Sequence, residues 1–280
     1  MITQRLFGGL GNQMFQYATG RAVAAARGVP LALDTRDTDR RGGHNRFALH
    51  RYAIDVASDP ALPPDRKGRP LRYAAWRAMG GRLLREAGLG FDPRVMQAPD
   101  GSYLHGYFQS ERYFAGIADT IRRDLTLTEP LSFESAAWQA RIAQDPLAVS
   151  LHVRRGDYLS AGNHGTCDAA YYARALQAVT DRMGARPRLY AFSDDPDWVR
   201  DHLHLDAEMA VVGHNGPDAG HEDLALMSTC RHHIVANSTF SWWGAWLNPR
   251  PDKVVAAPAV WFAALAQTNH DILPDSWIAV

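Results

Sequence analysis

The sequence has almost no cysteine: Cys167 and Cys230 are the only two in 280 residues. Two thiols cannot build a disulfide framework, and their spacing fits no metal-ligand motif, so a reducing cytoplasm is the expected compartment. Charge of one sign is not in excess either, since 30 basic residues balance 30 acidic ones. Without a net field there is no general attraction for nucleic acid, which points to a small polar substrate. Long apolar runs are missing too. The opening MITQRLFGGLGNQMF lacks the continuous apolar core of a secretory signal, so secretion is not expected. The most apolar run, 254–266, is broken by Pro258 and too short to span a bilayer. It reads as a buried strand followed by a turn and a helix.

What is present is an alternation of strand and helix patterns. Residues 2–7 read as a strand, 8–11 as a tight turn, 13–27 as an alanine-rich helix and 29–33 as a second strand ending at Asp34. Pro60, Pro63 and Pro64 mark long loops between Asp34 and Pro70. Helices are predicted near 72–87, 111–124 and 130–145. Beyond Asp145-Pro146, strands at 148–153, 188–192, 210–212, 233–236 and 254–256 alternate with helices at 169–183, 196–203, 222–230 and 239–246. Such alternation predicts an α/β protein with a doubly wound parallel sheet, and the length suits two domains, 1–145 and 146–280.

Three segments carry candidate chemistry. In AVSLHVRRGDY, 148–158, an apolar strand runs into Arg154 and Arg155, and the carboxyl end of a buried strand is where open α/β sheets bind ligands. Paired guanidinium forks suit the oxygens of a diphosphate; the plainer reading pairs them with Asp157 and neighbouring carboxylates. GGLGNQ, 8–13, sits between strand and helix like a dinucleotide fingerprint, with Asp34 as the acid after the next strand. With Gly9 and Gly11 as its first two glycines, however, the third position is Met14. Asn12 and Gln13 instead place amides there, able to bond a sugar or a leaving phosphate; alternatively Asn12 is simply an N-cap. In HEDLALMSTCRHHIVANSTFSWWGAWLN, 221–248, a strand delivers Asn237, Ser238 and Thr239 to a helix start, which is an anion site. A diphosphate can sit between that start and Arg154. Asp223 can accept the N1–H and amino hydrogens of guanine with His152 beside it, or can merely complement a helix dipole. Trp242, Trp243 and Trp246 read as packing anchors.

Taken in order and spacing, GGLGNQMFQYA, HVRRGDY and ANSTFSWWGAWLN, with HGTCDAAYY, FSDD and EDLALMS between them, resemble the bacterial α-1,2-fucosyltransferases of glycosyltransferase family 11. That resemblance implies a GT-B-like fold of two Rossmann-like domains facing a central cleft. It also implies GDP-β-L-fucose as donor, a galactose-terminated oligosaccharide or lipid-linked glycan as acceptor, inversion at the anomeric carbon, and no metal or other cofactor. By motif position Arg154 would grip the β-phosphate, His152 and Asp223 the guanine or ribose, and Ser238 and Thr239 the diphosphate. Asn12 would lie at the phosphate–sugar junction, Asp157 would be the base or a brace for Arg155, and Gly9, Gly11, Arg155, Asp194 and Asn237 would complete the donor site. An NAD-dependent oxidoreductase and a non-catalytic nucleotide-sugar-binding module are the competing readings. Asp37-Thr38-Asp39 and Asp195-Pro196-Asp197 are the triplets that a metal-dependent transferase would use. Seven basic residues between Arg66 and Arg85 fit either a solvated helix face or a peripheral contact with the inner membrane.

Overall fold

A computed structural model describes residues 1–41, 46–58, 62–64, 66–155, 167–262 and 271–280. The chain divides into two compact units, 1–128 and 129–280.

The first unit contains β1 (Ile2–Arg5), α1 (Leu10–Arg27), β2 (Leu31–Asp34), α2 (Arg36–Arg41), α3 (Pro70–Ala78), β3 (Arg82–Arg85), α4 (Pro93–Met96), β4 (Ser102–His105) and α5 (Ala118–Asp124). Its four strands are parallel in the order β2-β1-β4-β3, so the winding reverses between β1 and β4. The helix expected over 72–87 is two elements. α3 stops at Ala78 and Gly80, at φ +92°, turns the chain into β3. Gly81 must be glycine, because a Cβ there would lie 2.4 Å from the Trp76 ring and 2.7 Å from its carbonyl. Residues 111–124 begin as 3-10 turns and become α-helical only at Ala118.

The second unit holds α6 (Phe133–Gln144), β5 (Ala148–Val153), α7 (Ala169–Met183), β6 (Arg188–Ser193), α8 (Pro196–His202), β7 (Glu208–Val212), α9 (Gly220–Thr229), β8 (His232–Ile234), α10 (Thr239–Leu247), β9 (Val255–Ala257) and β10 (Ile278–Ala279). The division at 128 rather than 145 places α6 here. Its Ile142 is buried with Tyr190, Leu226 and Met227, which are second-unit residues. The parallel strands run β7-β6-β5-β8-β9-β10, a doubly wound order whose reversal falls between β5 and β8. All six β5 residues are buried, as a central parallel strand requires. Val149, Leu151 and Val153 pack with Tyr172, Leu176 and Val179 of α7, while Ala148 lies in the cluster on Ile142 and Met227. The helix expected after Pro258 falls largely on 263–270, outside the described residues.

One polar network lies inside this sheet. Asn248 Nδ2 donates to the Cys230 carbonyl and to His233 Nε2, both at 2.9 Å, and His233 Nδ1 lies 2.7 Å from Ser150 Oγ. Since Nε2 accepts, the ring proton is on Nδ1 and is donated to the serine. Burial holds the ring far below the usual histidine range, hence neutral. Asn248→Ala should therefore cost about 1–3 kcal/mol, measured by denaturant unfolding, because buried acceptors lose their donor.

Candidate functional site

Parallel strands aim the residues after their carboxyl ends at one edge, and a reversal of winding opens a crevice between the two strands concerned. In the second unit those strands are β5 and β8. The residues next in the chain are Arg154 and Arg155 after β5, and Asn237, Ser238 and Thr239 after β8.

The arginines are not left to solvent. Arg154 Nη1 lies 3.2 Å from Asp194 Oδ2, and Asp194 Oδ1 accepts the Arg155 backbone N–H at 2.9 Å. Arg155 Nε donates to Asp195 Oδ2 at 3.2 Å, and its guanidinium lies 3.7 Å from the centre of the Trp198 ring. Asp195 is also the N-cap of α8, accepting the Trp198 N–H at 3.2 Å. Asp194 and Asp195, the two residues after β6, thus orient both cations. Arg155 is stacked and paired, whereas Arg154 is held by its rim. Asp157, the carboxylate expected to serve as base or brace, lies outside the described residues.

Ser238 is the N-cap residue of α10 in extended conformation, with no side-chain capping bond. Ser241 Oγ instead donates inward, to the Ala236 and Ser238 carbonyls at 3.2 and 3.1 Å. Thr239 is half-buried, and the start of α10 follows β8 at the same sheet edge as Arg154. Asn237 is buried, its Nδ2 donates to the Trp261 carbonyl at 3.3 Å and its Oδ1 accepts the Cys167 thiol at 3.6 Å, contacts that hold the loop before α10. Trp242, Trp243 and Trp246 are packing anchors as expected, buried and stacked on one another, with Trp242 Nε1 donating to the Ile272 carbonyl at 2.7 Å.

His152 and the start of α9 flank Phe240. The His152 ring, buried on β5, lies 5.5 Å from the Phe240 ring, and its Nδ1 has no partner among the described residues. Burial, reinforced by the Arg154 charge, depresses its pKa to about 3, so it is neutral. Phe240 in turn packs where a Cβ on Gly220 would come within 3.2 Å, at the start of α9. Asp223, in the first turn of α9, accepts a 2.7 Å bond from Asn215 Nδ2. Burial, with Glu222 adding repulsion, raises its pKa to about 6. Neighbouring Glu222 turns away and accepts the Ser132 hydroxyl at 2.6 Å.

The first unit has its own reversal, between β1 and β4, and the glycine motif occupies it. The residue at positive φ in this motif is Gly8, while Gly9 has a negative φ and Gly11 is helical. Gly8 sits at φ +79°, and a Cβ there would meet Asn12 Nδ2 at 2.7 Å. Gly9 is the N-cap residue of α1 and Gly11 is buried within it. Asn12 is consequently inside the first turn and not the N-cap; its Oδ1 accepts from Gln109 Nε2 at 2.9 Å. Gln13 is fully buried and bonds the Gly8 and Arg46 carbonyls, both at 2.8 Å, and the Ala48 N–H at 3.0 Å. It braces loops and has no amide left to offer a ligand. Gln109, four residues beyond β4, was invisible in sequence because only the sheet order brings it to Asn12.

Asp34, the acid a dinucleotide fold would turn to the ribose, is 2% exposed. Arg36 clamps it through Nε at 2.8 Å and Nη2 at 2.7 Å, and the Tyr103 hydroxyl donates to it at 2.5 Å. A ribose hydroxyl has no lone pair to compete for without breaking these bonds, which removes the main support for the oxidoreductase reading. Among the described residues no cluster of His, Cys, Asp and Glu is arranged to hold a metal.

Comparison with known proteins follows the same lines. The family model for glycosyl transferase family 11 matches residues 89–280. The chain is 29% identical to an α-1,2-colitosyltransferase of Escherichia coli, covering 100% of this chain and 99% of that protein. It is 30% identical to the O-antigen biosynthesis glycosyltransferase WbnK of Escherichia coli, covering 98% of each. Human galactoside α-(1,2)-fucosyltransferase 1 is 28% identical over 86% of this chain and 63% of its own length. Among solved structures, the α-1,6-fucosyltransferase NodZ soaked with GDP-fucose superposes with a TM-score of 0.53 at 14% identity, covering 89% of this chain and 92% of NodZ. At that identity the match speaks for the α/β fold alone.

Proposed function

The chain belongs to glycosyl transferase family 11, and from that premise we propose that it transfers L-fucose from GDP-β-L-fucose to the 2-hydroxyl of a galactose-terminated glycan. Transfer inverts the anomeric carbon and uses no divalent metal. The observation that carries this reading is the placement of Arg154 and the start of α10 after the carboxyl ends of the neighbouring strands β5 and β8, in a chain similar end to end to an α-1,2-transferase.

As the bond to the sugar breaks, negative charge grows on the departing diphosphate. Preorganised donors aimed at that charge supply the largest share of catalysis in such sites. Arg154 contributes a fixed cation, and the unpaired N–H groups of the first turn of α10, with Ser238 and Thr239, contribute further donors. Together they are the chemical equivalent of a metal clamp. Asp223 as carboxylate accepts the guanine N1–H and amino hydrogens, and neutral His152 packs beside it. Arg155 and Asp194 support the donor site through the contacts that hold Arg154 and its neighbour, Asn237 through the loop before α10, and Gly9 and Gly11 are assigned to the donor by motif position. By motif position, Asn12 is assigned to the sugar end of the donor and Asp157 to the base that takes the acceptor proton. An oligosaccharide and a lipid-linked glycan are equivalent acceptors for this chemistry.

The decisive measurement is release of GDP from GDP-fucose, with and without galactose-terminated acceptors, in excess chelator. Acceptor-dependent release that chelator leaves unchanged is expected. GDP binding without turnover on any acceptor would instead indicate a binding module. The similarity to a colitosyltransferase makes GDP-colitose, the 3-deoxy counterpart of the fucose donor, the second donor to assay.

The pKa of Asp223 adds a pH signature. Guanine recognition needs the ionised form, and the raised value of about 6 means protonation sets in below that pH. GDP affinity should fall as pH drops from 7 to 5, by about tenfold per unit once Asp223 is mostly protonated. Asp223→Asn should bind weakly and lose that dependence, as calorimetric titration would show.

A further inference from the structure

The surface of the first unit built by α3 and β3 has two properties that no packing role explains. Between Arg66 and Arg85 there are seven basic residues and no acidic one, in a chain that is otherwise neutral overall, so the remainder carries seven more acids than bases. Opposite charges are thus segregated rather than interspersed. The second property is the orientation of α3, none of whose residues is buried. At 100° per residue, Leu71, Ala74, Ala75 and Ala78 line one stripe, with Arg72 and Arg77 at its margins and Tyr73 and Trp76 opposite. Every residue of the apolar stripe is exposed, and the two aromatics are the half-buried ones. Leu71 is 85% and Met79 80% exposed. The helix therefore turns its aliphatic face to solvent and rests on its aromatic face, the reverse of an ordinary surface helix.

Two of the cations bond backbone carbonyls. Arg77 Nη1 donates to the Gly81 carbonyl at 2.6 Å and lies 5.9 Å from the Trp76 ring, and Arg82 Nη1 donates to the Asp100 carbonyl at 2.6 Å. Glu86, the acid that ends the basic stretch, does not reach back into it. Its two oxygens accept the N–H groups of Tyr107 and Phe108 at 2.7 and 2.8 Å.

We infer that this surface docks on a bilayer rich in anionic phospholipid, α3 lying in the headgroup plane with Leu71 and Met79 in the acyl boundary and the cations on phosphates. The charge sign selects the lipid class, and the aliphatic stripe selects a membrane over a nucleic acid, which offers no apolar layer to receive leucine and methionine. The inference is independent of the transferase reading, because docking is measured with neither donor nor acceptor present.

The test is co-sedimentation of the full chain with vesicles of phosphatidylglycerol and phosphatidylcholine. The wild-type protein should pellet with these vesicles, remain in the supernatant with pure phosphatidylcholine, and dissociate at high salt. L71Q/M79Q keeps all seven cations, adds no charge and alters only exposed positions, yet should bind at least about tenfold more weakly. R72E/R77E, an independent pair, should lose about 30-fold or more, from about fivefold per removed charge. Melting curves would confirm that both variants fold, and either pair suffices if the other does not. No pelleting of the wild type with anionic vesicles would overturn the inference. So would unchanged binding of L71Q/M79Q, which would reduce the surface to a general polyanion patch.

Discussion

Arg154→Ala should lower turnover about 10²- to 10³-fold, equivalent to about 3–4 kcal/mol of lost transition-state stabilisation. The effect is expected in kcat more than in donor KM. Charge on the diphosphate grows during bond cleavage, so a cation beside it binds the transition state better than the ground state. Arg154→Lys should recover part of the loss: it restores the charge but not the planar fork. Stability should change little, since the side chain is 27% exposed at the sheet rim and its partner Asp194 keeps the Arg155 N–H. Steady-state release of GDP at saturating acceptor checks the result. A variant with near-normal kcat would remove Arg154 from catalysis and leave the helix start as the sole anion site. Asp194→Asn, acting through Arg154, should fall between wild type and Arg154→Ala.

The second large effect concerns stability. Asp34→Ala should destabilise the first unit by about 2–3 kcal/mol, the cost of leaving a buried hydroxyl and a half-buried guanidinium without their acceptor. Its carboxylate side chain is 3% exposed, and removal strands both the Arg36 fork and the Tyr103 hydroxyl. The pH dependence follows from the same contacts. Burial by itself would raise the Asp34 pKa, but the bonds from Arg36 and Tyr103 outweigh it and hold the group below the usual carboxylate range. A depressed folded value stabilises above the unfolded pKa of about 4 and is lost as pH falls through the folded value. Denaturant unfolding of wild type and Asp34→Ala should therefore differ most near neutrality and converge in strong acid. A gap independent of pH would mean that packing, not charge, holds this strand end.

The donor-side features were legible because their signals are local. The continuous apolar run of 148–153 marks a central buried strand, and two arginines directly after it must emerge at its carboxyl end. Pro196 and Asp195 mark the start of α8, and Ser238 marks the start of α10. What failed was equally specific. β3, four residues with a repeating RLLR pattern on a sheet edge, carries too short a signal to separate from the helix before it. Gln13 offered an amide suited to a ligand, yet the structure spends it on internal bonds to Gly8, Arg46 and Ala48. Gly8 was passed over for Gly9 and Gly11, since which glycine takes positive φ depends on where the chain must turn.

The order of residues along this chain was thus enough to determine its α/β class, the strand ends that present Arg154 and Ser238, and the family that those motifs resemble. Tertiary structure alone decided that β5 neighbours β8, that Gln109 reaches Asn12, that α6 belongs to the second unit, and which polar groups are already satisfied. The division has a physical cause: periodicity and turn chemistry act over a few neighbouring residues, whereas strand order and hydrogen-bond partnership depend on groups separated by many tens of residues, whose meeting only the folded core arranges.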